Sequence, residues 1–69
     1  MEVLYKRGKL IYLIHSNGKY YTIHLYRETI SEIPDPDMFI KQGYVEEANV
    51  DDETYQQIEE VFKHGAHLS

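Results

Sequence analysis

Asn17-Gly18 sits between two alternating runs, Lys9 to Ser16 and Lys19 to Arg27, and that arrangement constrains the fold more than any other stretch. Asn-Gly suits a type I′ turn, which needs φ > 0 at both central residues and joins the strands of a tight hairpin. The turn sets a register in which opposing residue numbers sum to 35. Leu10 then faces Leu25, Tyr12 faces Ile23 and Ile14 faces Tyr21, all on one wholly apolar side. The other side is mixed: Lys9 opposite Tyr26, Ile11 opposite His24, Leu13 opposite Thr22 and His15 opposite Tyr20. A one-residue slip would scramble both faces, so turn and pattern support each other.

Upstream, Met1 to Lys6 reads as a strand, and Arg7-Gly8 is a second two-residue turn in which Arg is strained by a positive φ. A tight turn there makes opposing numbers sum to 15, with Val3 facing Tyr12 and Tyr5 facing Leu10 on the apolar side. Leu4 then faces Ile11, and Glu2 faces Leu13, on the mixed side. Two turns that agree on one core face predict a three-stranded antiparallel meander.

Downstream, Glu28 to Ile33 suits one helical turn as well as a bent extension of the strand. Pro34 forces an extended Ile33, and Asp35-Pro36-Asp37 then reads as a helix start, with Asp as N-cap and Pro at N1. A short helix from Pro36 to Gln42 would bury Phe39, with Ile40 or Met38 as a second inward residue, and end at Gly43 in the left-handed region. Tyr44 to Ala48 has the Glu content of an edge strand or an extended linker. Asp51 caps a second helix, with Val50 stapled onto Tyr55. Tyr55, Ile58 and Phe62 recur at helical spacing beside Val61, and Lys63 and His64 precede a terminating Gly65. Ala66 to Ser69 reads as a loose tail. The expectation is a single small α+β domain over residues 1–69: the meander, room for a short fourth strand, a C-terminal helix on one face and a short helix between.

Composition narrows the function classes. The chain has no cysteine, so it holds no disulfide and no thiolate zinc site. Its longest apolar run, Leu10 to Ile14, is too short for a signal h-region or a membrane span, and the expected location is the cytoplasm. The net charge of −5 is unevenly spread. Residues 1–27 carry Lys6, Arg7, Lys9, Lys19 and Arg27 against Glu2, a net of +4, whereas residues 28–69 carry two lysines against eleven carboxylates, a net of −9. Such a split either marks a surface for a charged partner or lets the two halves complement each other.

No residue set supports catalysis. Ser16 is adjacent to His15, and neighbours on a strand point to opposite faces, so no Ser–His pair forms. The paired acids Glu46-Glu47, Asp51-Asp52 and Glu59-Glu60 read as a solvated surface. His64 and His67 are separated by a helix-ending Gly65 and lack a third ligand. His15 and His24 share a face but lie about 13 Å apart at the usual rise of a strand. Each glycine is accounted for as punctuation, leaving no phosphate loop. No enzyme activity, metal or other cofactor is expected.

Tyrosines say more: seven occur, and Tyr5, Tyr12, Tyr21 and Tyr55 are assigned to the core. Tyr20 and Tyr26 remain on the mixed face with Ile11, Leu13, His15 and His24, an aromatic and aliphatic patch of the kind that partners bind. Either this patch is exposed, or the segment after Glu28 folds across it. The expected function is that of a small non-enzymatic protein-binding or regulatory module, acting through the sheet face on another protein or on a second copy. Its size and charge are those common among phage and mobile-element accessory proteins. Two alternatives use the charge split. The sheet could stack nucleic-acid bases on Tyr20 and Tyr26, which the acidic balance disfavours, or the acidic half could imitate DNA. No membrane partner is expected.

Overall fold

Asn17 and Gly18 take φ values of 56° and 76°, the two positive angles that a type I′ turn requires. In the computed structural model, which describes residues 1–68, this turn joins β2 (Ile11–Ser16) to β3 (Lys19–His24). Their register runs from Ile11–His24 to Ser16–Lys19, with opposing numbers summing to 35 throughout. Leu25 N–H donates to Leu10 O at 2.8 Å, carrying the pairing one residue past the strands, although Leu10 itself is exposed.

The chain is α+β: a six-stranded sheet in the order β5-β1-β2-β3-β4-β6, with one helix on each face. β1 (Glu2–Arg7) pairs with β2 in a register other than the one the turn residues predict. Gly8 takes φ 68° as the first of three loop residues, not the second of two, so Arg7 stays in the strand opposite Ile11. Further along, a bulge between Val3 and Tyr5 inserts Leu4, and the sum falls from 18 to 17. Val3 remains on the helix side, opposite Ile14, but Tyr5 moves to the mixed side, opposite Leu13. The expected pairs Val3–Tyr12, Tyr5–Leu10, Leu4–Ile11 and Glu2–Leu13 are all replaced.

Glu28 to Ile33 resolves as a strand, β4 (Thr29–Ile33), reached through a four-residue loop in which Glu28 takes φ 53°. Ile30 joins Ile23 on the helix side, and Ile33 joins Tyr20 on the other. β5 (Glu46–Glu47) is the expected edge strand and pairs with Tyr5 and Lys6. β6 (Ala66–Leu68) closes the opposite edge, parallel to β4, where the sequence had suggested a loose tail reaching Ser69, a residue outside those described.

α2 (Asp52–His64) closes the apolar face. Asp51 Oδ1 accepts from Thr54 N–H at 2.8 Å, the N-cap bond, and the Thr54 hydroxyl together with this N–H holds the Asp51 carboxyl below its ordinary range. Ile58 and Val61 are buried among Tyr12, Ile14, Ile23 and Ile30, with Val3, Val50 and Phe62 packed at the margin. Phe62 meets Tyr21 edge-on at 5.2 Å, and Tyr55 Oη donates to Met1 O. Gly65 ends the helix in an extended conformation, so positive φ is not the reason for it. A Cβ there would lie 2.6 Å from Val61 O and 2.7 Å from Glu28 O. Only glycine lets the chain pass between those carbonyls and start β6, where Ala66 N–H donates to Glu28 O.

Candidate partner-binding site

The mixed face is covered by residues from Pro34 onward, and only in part. Asp35 Oδ1 accepts from Asp37 N–H at 2.9 Å and starts the single turn α1 (Asp37–Ile40). Gly43, at φ 82°, then reverses the chain toward β5. Phe39 is buried, while its neighbours Met38 and Ile40 are exposed, as one turn with a single inward side chain requires. Because the three-residue loop sets Arg7 opposite Ile11, on this side of β1, its guanidinium lies 4.2 Å above the Phe39 ring. Nε donates to Gly43 O at 3.1 Å, and Nη2 donates to Phe39 O. Arg7 thus clamps the C-terminal end of α1 and the turn that follows it, adding to the Gln42 N–H bond to Phe39 O.

Between this clamp and the far strands lies an open cleft of about 300 Å³. Its sheet side presents Ile11 from β2, Thr22 and His24 from β3, and Thr29, Ser31 and Ile33 from β4. Met38, Phe39 and Gln42 form the α1 side, and Leu68 of β6 borders the open edge. Two cations, Arg7 and Arg27, line it. His24 is fixed by its own loop, since Nδ1 accepts from Arg27 N–H at 3.2 Å. The neutral ring therefore carries its proton on Nε2 and offers a donor.

The six residues expected to bind a partner are dispersed by this geometry. Ile11 and His24 line the cleft. Leu13 is 0% exposed and belongs to the interior, so it cannot touch a partner. His15 and Tyr20 sit outside the cleft, in contact with each other at 4.7 Å between ring centroids, with Glu2 3.8 Å from His15 Nδ1. Tyr26 leaves the sheet altogether: it is 81% exposed on the β3–β4 loop, where the hairpin is no longer paired. Thr22, from the same register that placed Ile11 and His24, was available to sequence reasoning as a lining residue. Arg7, Met38 and Leu68 were not, because each reaches the cleft through non-local structure. Comparison with family models, with curated proteins and with solved structures gives no match to this chain.

Proposed function

We propose that this chain is a non-enzymatic binding module that captures another protein through the cleft on its second sheet face. One observation carries the reading: the cleft is bordered by large apolar side chains that the fold leaves in water, Met38 at 51% and Leu68 at 54% exposure. Apolar groups gathered at one concave place, with polar groups among them, are what a partner surface fills. Of the remaining exposed apolar residues, Leu10, Tyr26 and Tyr44 are on loops and Ile40 is on α1, and none of them lines it.

Met38→Asp tests the reading, with Ile40→Asp as its control. Both positions are exposed on the same helical turn, and only Met38 lines the cleft. Both variants should melt like the parent chain. Met38→Asp should lose the partner captured from host extract, and Ile40→Asp should retain it. Equal retention by both would remove the cleft from consideration. Sedimentation velocity over a range of concentrations shows whether the captured protein is a second copy.

A further inference from the structure

The chain carries twelve carboxylates, yet none of the residues lining the cleft is acidic, and Arg7, Arg27 and His24 all line it. Of the five lysines outside it, Lys19 and Lys63 are ion-paired. Lys19 lies 3.7 Å from Glu32, Lys63 lies 3.7 Å from Glu59, and Lys6 pairs across the strands with Glu46. Among the described residues no carboxylate comes within ion-pair distance of Arg27. The cleft is therefore a cationic recess in a molecule of net charge −5.

We infer that the cleft takes an acidic peptide segment of its protein partner, with one carboxylate between Arg27 and His24 and an adjacent apolar side chain against Met38 and Leu68. This deepens the function proposed above and rests on it. Arg27 supplies planar paired donors suited to a carboxylate, and the His24 tautomer supplies another from Nε2. Thr22, Thr29 and Ser31 add hydroxyl donors on the sheet side. Arg7 contributes charge, while two of its nitrogens are already committed to Phe39 O and Gly43 O. The rest of the surface repels an acidic segment, and the recess concentrates the attractive field at one place, so the same charges that bind also orient. A nucleic-acid strand fits less well. Its many phosphates need a row of cations, and the cleft supplies two, Arg7 and Arg27.

The test is a titration of the isotope-labelled full chain, followed by amide NMR, with the hexapeptide ELEFEL and its amide counterpart QLQFQL. ELEFEL should shift the amides of Thr22, Thr29, Ser31 and Gln42, and QLQFQL should bind about tenfold more weakly or worse, as loss of a charge-assisted hydrogen bond implies. Arg27→Gln, on an exposed loop, should weaken ELEFEL by about the same factor without changing Tm. Equal binding of both peptides at these amides would overturn the acidic specificity and leave the docking cleft standing. Absence of shifts there with either peptide would overturn both. Shifts at the same amides with a dT12 oligonucleotide would reassign the cleft to nucleic acid. A concentration-dependent rise in mass that Arg27→Gln abolishes would make the acidic partner a second copy of this chain, and the free-peptide assignment would fall.

Discussion

Against one face of the sheet lies a helix of thirteen residues; against the other lies a single turn of four. The long helix is held by apolar contact, with Ile58 and Val61 sunk among Tyr12, Ile14, Ile23 and Ile30 and no polar or charged residue buried among the described residues. The short turn is held by one ring and one guanidinium, Phe39 beneath Arg7, and by hydrogen bonds to two carbonyls. Apolar burial scales with area, whereas a clamp fixes two points and leaves space beside them. The first face accordingly supplies stability, and the second supplies the cleft. The proposed contact lies where the short turn leaves the sheet uncovered.

The largest expected effect tests whether the second face is interior at all. Leu13→Lys places an unpaired charge where the side chain is fully buried, and the chain should fail to fold, as judged by lost amide dispersion. A folded Leu13→Lys variant would mean that the short turn lifts away easily and that the two faces differ even more than described. Next comes the helix side. Ile58→Ala should lower stability by about 2–5 kcal/mol in urea melts, while Glu60→Ala, exposed on the outer side, should be nearly silent. Similar losses at the two positions would break the assignment of α2 as the core-forming element.

Arg7→Met should be smaller and local. Loss of hydrogen bonds from a charged group costs about 1.5–3 kcal/mol, and the signature is its distribution. Amides bonded within the turn, Lys41 to Asp37 O and Gly43 to Ile40 O, should exchange faster, and those of α2 should keep their protection. Uniform acceleration on both faces would show that the clamp belongs to the cooperative core. The smallest effect is a pH dependence on the helix side. Asp51 accepts from Thr54, so its folded carboxyl titrates below 3.8. Its contribution is whole above that value and fades as pH falls through the lower folded one. The stability gap between the parent and Asp51→Ala should therefore be constant near neutrality and narrow in acid. A gap independent of pH down to about 2 would remove the cap from the account.

Legibility in the sequence follows the same division. The β2–β3 hairpin was readable because Asn17-Gly18 is a local signal and the alternation confirms it over six paired positions. The α2 stripe and its Asp51 cap were readable for the same reason. β1 was misread because its loop has three residues, with Gly8 at the first, and because no glycine marks the Leu4 bulge. β4 was ambiguous because Glu28 carries the positive φ that glycine or asparagine would have advertised. β6 depends on the passage of Gly65 between Val61 O and Glu28 O, a contact across 37 positions on its second side. Of the candidate site, Ile11, His24 and Thr22 came from the register. The clamp did not, since Arg7 and Phe39 are 32 residues apart and no periodicity connects them.

The bulge in β1 lets one strand hold two phases. Leu4 is the residue in excess: without it Val3–Ile14 and Tyr5–Leu13 would follow one another in an ordinary ladder. Had the strand kept the phase set by Val3–Ile14 through its whole length, Tyr5 would face α2, Lys6 would face Ile11, and Arg7 would fall on the helix side, away from Phe39. Val3 and Arg7 lie four positions apart and would share a face in an unbroken strand; with Leu4 in excess they serve opposite layers, Val3 at the margin of the core and Arg7 over Phe39. One strand can therefore obey two phases, that of its loop and that of the helix above it.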